Sequence, residues 1–299
     1  MKKLLELTRR DLKVFFKDKG LFISSLITPM ILLVLYASFL AKVYKESFVS
    51  ALPEGFAIDE KLINATVAGQ LIASLLAVSC VTVSFCANLL MISDKASGAI
   101  RDLTVTPVKR ATIAGSYFIA SAASTLIVTF TALALCLIYL STQGWYMSFS
   151  DVALVALDVF LLTLFGTALS SCIHFFLSTN GQASAVGTII SAGYGFLCGA
   201  YMPISNFGEG LQKTLSFLPG TYGTALLKNH MMRGVFSEML NKGFPQQVVD
   251  AIMESIDCTI KFFGHPVSIP AMYAILIGSV ILFTGLFVLF HVVFKNKTR

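Results

Sequence analysis

Six continuous apolar runs, 21–40, 67–91, 113–140, 152–173, 183–202 and 271–294, constrain this chain more than any other feature. Each is close to the roughly 20 residues that a helix rising about 1.5 Å per residue needs to cross a hydrocarbon layer about 30 Å thick. Leu, Ile, Phe and Ala fill the runs without the two-residue alternation of a membrane barrel. Charged residues make up 13% of the chain, against about 25% in soluble domains. The expected fold is therefore an all-α integral membrane protein: an N-terminal segment, 1–20, followed by one six-helix transmembrane domain, 21–299.

The distribution of the 22 Lys and Arg residues sets the expected orientation. Seven precede Leu21, four lie between 93 and 112, and three follow Phe294. Those segments fall on one side of a six-span chain, and short cationic segments stay in the cytoplasm. Both termini are expected inside a plasma membrane. The cations are not gathered on one soluble face, so nucleic acid is not an expected partner. In segment 1–20, Leu4, Leu5, Leu12, Phe15 and Phe16 recur at helical spacing among Lys2, Lys3, Arg9, Arg10, Lys13 and Lys17. That pattern predicts an amphipathic helix lying on the lipid bilayer.

On the opposite side, 203–269 is semi-apolar and broken by Pro203, Pro219 and several glycines. Its apolar stretches 211–218 and 224–232 are too short to cross, which predicts helices that enter the outer leaflet and return, covered by protein. Residues 246–257 read as a small amphipathic helix. Small residues crowd the fifth run, where they allow close helix approach in lipid. Five of the six cysteines fall in or beside apolar runs and none forms a Cys-x-x-Cys pair, so they read as small hydrophobes.

The chemistry missing from the chain is as informative. No Gly-x-x-x-x-Gly-Lys-Ser/Thr loop, His-Glu-x-x-His or Gly-x-Ser-x-Gly occurs. No catalytic residue or metal ligand is expected, because His174, His230, His265 and His291 are scattered and read as interfacial. Polar residues inside apolar runs are costly there and often functional. Asp158 falls about 10 Å below the outer end of a span over 152–173, but at the headgroups if the span runs 160–176. Gln70 and Asn88 either line a polar route or bond neighbouring helices.

The charged stretch 93–112 joins the second and third runs. In it, Arg101 and Asp102 sit where a short helix would show charge on one side while Ile100 and Leu103 dock into a partner's groove; by composition alone the stretch reads equally as a solvated linker. Its pattern Asp94-x-x-x-Gly98-x-x-x-x-Leu103-x-Val105-Thr106-Pro107-Val108-x-Arg110, followed by Gly115, resembles the loop of type 2 (exporter-class) ABC transporter permeases. Lys17-Asp18 with Pro29 resembles the family's N-terminal pattern. The set Phe196-Leu-Cys-Gly199, Pro203, Leu211, Pro219, Tyr222 and Arg233-Gly234 resembles its fifth span and re-entrant region.

The resemblance implies a transmembrane subunit of an ATP-driven exporter. Two copies of a separate ATPase would bind ATP and Mg, and a second permease subunit, identical or a sibling, would complete the route. Asp94, Gly98, Ile100, Arg101, Asp102, Leu103, Pro107 and Arg110 would couple to the ATPase. Pro203, Pro219 and Tyr222 would belong to the outer gate, with Gln70, Asn88 and Asp158 on the pathway. No cofactor is expected on this chain. The apolar runs suggest an amphipathic cargo (drug-like compound, peptide or lipid), with lipid-linked polysaccharide as the alternative. An ATP-independent channel or carrier, or a scaffold that transports nothing, is the rival class.

Overall fold

The computed structural model describes residues 2–42, 45–46 and 59–293. Most of the loop expected after the first run, with Glu54, and the basic tail after Phe294 lie outside the described residues. Helix α1 (Lys2–Lys17) meets α2 (Lys19–Leu35) at 73°. Asp18 makes the corner, its Oδ1 accepting from the N–H groups of Gly20 at 2.9 Å and Leu21 at 3.1 Å. The apolar run continues beyond α2 as a π-helical turn, Tyr36–Leu40. Pro29 lies within α2 without ending it.

The central rod is α3 (Glu60–Ser97), about 57 Å long by its 38 residues. In its most apolar stretch 89% of residues are buried, because α2 and four later helices pack around it. These four are α5 (Arg110–Gln143), α6 (Phe149–Phe175), α7 (Asn180–Leu197) and α9 (Pro219–Asn241). The short α4 (Ala99–Val105) caps the junction of α3 and α5, and α8 (Glu209–Leu215) precedes α9. The chain ends with α10 (Gln246–Ser255), a two-residue hairpin pairing Lys261–Phe262 with His265–Pro266, and α11 (Ile269–Val293). Only 17% of the apolar window of α11 is buried, so this helix shows most of its surface to the surroundings.

Helices α3, α5, α6 and α11 are each long and apolar enough to span a membrane, and the bent α1–α2 pair makes a fifth candidate. The run at 183–202 gives a shorter helix than expected. Polar Asn180, Gly181 and Gln182 open α7, and the chain leaves it at Cys198 and Gly199, the latter at φ +74°. The stretch 224–232 is not a separate short helix. It is the middle of 23-residue α9, whose N-terminal end packs on α7 at Tyr194 and on the midpoint of α6 at Leu162. Farther along, Gly234 passes so close to the α5–α6 turn that a Cβ there would lie 1.8 Å from the Tyr146 carbonyl oxygen. Residues 246–255 form the amphipathic helix expected, with Val249 buried. All six cysteines are unpaired thiols and five are buried.

Candidate functional site

Two polar clusters stand apart along the bundle, one at the loop end of α3 and one level with its middle. The first surrounds the loop. Gly98 ends α3 and starts α4 at φ +83°, a left-handed conformation in which a Cβ is strained. Nothing on α4 is buried. Arg101, Asp102, Thr104, Pro107 and Arg110 are exposed, and Val105 is 86% exposed. Ile100 and Leu103, expected to face a partner, pack instead with Val108, Leu7, Val14 and Leu21 against a small core of Leu90, Met91, Ile92, Ile113 and Tyr117. Their three-residue spacing forms one stripe, and half-burying it against this core turns the opposite face outward. Val105 is thus the apolar side chain that the loop presents.

The loop is held from behind. The Arg10 guanidinium forks onto both carboxylate oxygens of Asp94, which also accepts from the Tyr117 hydroxyl at 2.6 Å. Lys3 Nζ donates to the Pro107 carbonyl at 2.9 Å. Lys95 Nζ donates to the carbonyls of His174, Phe175 and Leu177 at 2.9–3.1 Å, where a cation satisfies the open end of α6. Asp94 therefore faces inward and anchors the loop. Arg10, Tyr117 and Lys95 escaped the sequence reading, although one buried acid beside a basic helix was a signal that it needs a cation.

The second cluster joins α6, α9 and α11. Asp158 is fully buried. His230 Nδ1 lies 2.6 Å from its Oδ2, and the Tyr273 hydroxyl donates to its Oδ1 at 2.6 Å. Asp158 is nine residues into α6, in the apolar part of the helix. His230 and His174 were expected at interfaces and are both buried; His174 Nδ1 lies 2.8 Å from the Ser170 carbonyl oxygen. One turn of α9 makes three ties. Lys228 Nζ donates to Gly199 O at 2.8 Å, Asn229 Nδ2 to Cys258 O at 2.5 Å, and His230 reaches Asp158. Nearby, Asp257, at φ +59°, accepts from the Ile204 N–H at 2.5 Å, and burial pushes its pKa up. The signal for this hub was Lys228 and His230 within an otherwise apolar stretch, which matched the unpartnered Asp158.

Between the clusters, Asn88 bonds Ser170, and its Oδ1 accepts from Ser121 at 3.0 Å. It knits α3, α5 and α6 together. Gln70 is buried about five turns back toward the start of α3, where the neighbouring Gly69 faces Met231 and Met232 of α9. Pro203 opens a 3-10 turn, Pro219 occupies the first turn of α9, and the Tyr222 hydroxyl donates to Ser216 O at 2.6 Å, closing the α8–α9 corner.

Several helices of membrane-crossing length and composition, joined at one end by a braced, exposed polar loop, define a multi-pass membrane protein. A family model described as ABC-2 type transporter matches residues 2–232, and the chain belongs to that family as a permease subunit without an ATPase motif of its own. Permeases of this family pair with an ATPase subunit. Among curated proteins, no significant match is found.

Proposed function

We propose that this chain is the membrane half of an ATP-driven exporter in the plasma membrane, with six spans and both termini in the cytoplasm. Two such subunits, identical or siblings, would bind two ATPase subunits that carry ATP and Mg. The loop 93–112 would transmit the ATPase movement, with α1 as its brace. ATP binding would then bias the paired membrane halves between inward- and outward-open arrangements. Helices α8 and α9 would enter from the outside and return, making Pro203, Pro219 and Tyr222 part of the outer gate. An amphipathic cargo, whether drug-like compound, peptide or lipid, would leave from the cytoplasm or inner leaflet.

The observation that supports coupling best is α4. It is only half-buried against its own chain, along the Ile100–Leu103 stripe, yet it is braced through Asp94 and Lys95 and tips an apolar Val105 outward. A rigid, exposed apolar knob is suited to a partner's groove. Val105→Asp tests this in proteoliposomes carrying a candidate ABC ATPase. The variant should fold normally and lose most of the stimulation of ATP hydrolysis; full stimulation would count against the knob. The buried Asp158 favours one rival reading, since carriers place acids within the membrane. Cargo efflux that persists without ATP would establish that rival.

A further inference from the structure

We infer that the groove between α5 and α11 is a binding site for the acyl chain of an anionic phospholipid. The groove has a volume of about 170 Å3 and is lined on α5 by Ala111, Gly115 and Ile119 and on α11 by Thr284, Val288 and His291. Its wall is almost entirely apolar, and it extends about 12 Å along α5 by the eight residues from Ala111 to Ile119. That is most of the depth of one leaflet of a hydrocarbon layer roughly 30 Å thick. The α11 side belongs to the most exposed of the spanning helices, so the groove opens to the surrounding lipid and not to the interior of the bundle.

The depth of the groove is fixed by α1. This helix is amphipathic, with Leu5 and Phe16 exposed beside a run of cations, the pattern of a helix seated at the boundary of headgroup and acyl chain. It crosses α5 at the groove: a Cβ on Gly115 would lie 3.5 Å from Leu4 Cδ1. The Ala111–Gly115 end is therefore level with the headgroups, and the Ile119 end lies in the hydrocarbon. A chain lying along it would place its phosphate beside the start of α5.

That end is cationic. Lys109 and Arg110 are exposed immediately before Ala111, and the bond from Lys3 Nζ to Pro107 O brings the first turn of α1, with exposed Lys2, to the same place. Glu6 is the exposed acid on that turn of α1, and Asp102 on α4 is the next along the loop. The local balance is positive, and each Lys or Arg near an anionic surface favours binding by about fivefold. An apolar slot of one-leaflet depth with a cationic mouth matches an anionic lipid by both shape and charge. This inference rests on α1 lying in the interface and is independent of which side faces the cytoplasm and of any ATPase.

Native mass spectrometry of the full-length protein in detergent, titrated with dioleoyl phosphatidylglycerol or dioleoyl phosphatidylcholine, tests it. Phosphatidylglycerol should bind about tenfold or more tightly than phosphatidylcholine. Val288→Trp, a substitution on the exposed face of α11, should fill the groove and lower retention of both lipids. Lys109→Gln should leave phosphatidylcholine binding unchanged and weaken phosphatidylglycerol about fivefold. Equal binding of the two lipids overturns the charge argument. Unchanged phosphatidylglycerol retention in Val288→Trp, with an unaltered unfolding midpoint, overturns the groove and assigns the preference to the basic face of α1. Loss of ATPase coupling elsewhere would leave all these outcomes intact.

Discussion

Asp94 and Asp158 are both buried carboxylates shared between a basic side chain and a tyrosine, but their surroundings differ. Arg10, which holds Asp94, is 36% exposed at its side chain, whereas His230, which holds Asp158, is 6% exposed. At the loop end, water and headgroups can take over if the pair opens. At the hub, Asp158 and His230 are buried and Tyr273 is half-buried, and α9 is secured there to both α6 and α11. The contrast separates two uses of the same chemistry. A half-open pair can hold a moving part in register, while a closed one fixes which helices are neighbours.

The comparison breaks most readily at the hub. Asp158→Ala leaves the buried His230 imidazole and the Tyr273 hydroxyl without their acceptor, and should cost about 3–5 kcal/mol as for other broken buried pairs. Its thermal unfolding midpoint in detergent should drop more than that of any other variant considered, with α9 released from α6. Combining it with His230→Leu should restore part of the loss, because the unpaired base is also removed. A single variant as stable as the wild type would show that the carboxylate is not desolvated.

At the loop end the expected effect is smaller. Asp94→Ala removes a charge-assisted fork and a tyrosine bond, a loss of about 1.5–3 kcal/mol, and Asp94→Asn should retain part of it through Tyr117. Gly98→Ala comes next. A Cβ there meets no atom within 4 Å, so only the left-handed backbone resists, at about 1–2 kcal/mol. If unfolding midpoints rank Gly98→Ala above Asp94→Ala in damage, the junction is held by backbone geometry and not by its ion pair.

The difference between the clusters also explains what the sequence revealed. Long spanning helices and the basic amphipathic α1 were legible because an apolar period of sufficient length has one low-energy solution in lipid. Gly98 and the loop were legible by resemblance, but the direction of Ile100 and Leu103 was not. Facing a partner and facing one's own core require the same i, i+3 stripe. The hub was hidden for another reason. Asp158, His230 and Tyr273 are separated by 72 and 115 residues, counted from Asp158, and spacing in a chain does not report contacts between helices. Helix α9 was read as the short stretch 224–232 because Gly220 and Gly223 precede that stretch and Arg233-Gly234 follows it. Lys228, Asn229 and His230 within it bind the helix to its neighbours.

The far end of α9 gives the smallest effect and the sharpest control. Lys242 reaches Asp59 at 3.2 Å and Glu238 at 3.9 Å, but all three are solvent-accessible. Long exposed side chains lose conformational freedom when paired, and salt screens their attraction. Lys242→Ala should therefore leave the unfolding midpoint within experimental scatter at moderate salt. The Lys61 N–H and then Lys242 hold the Asp59 pKa below the usual carboxylate value. A depressed acid stabilises the folded state above its unfolded pKa and loses that contribution as pH falls through the folded value. Any difference between Lys242→Ala and wild type should accordingly be largest at neutral pH in low salt and vanish on acidification below the carboxylate range. A difference that grows on acidification would mean that the lysine acts through packing of its stem and not through Asp59.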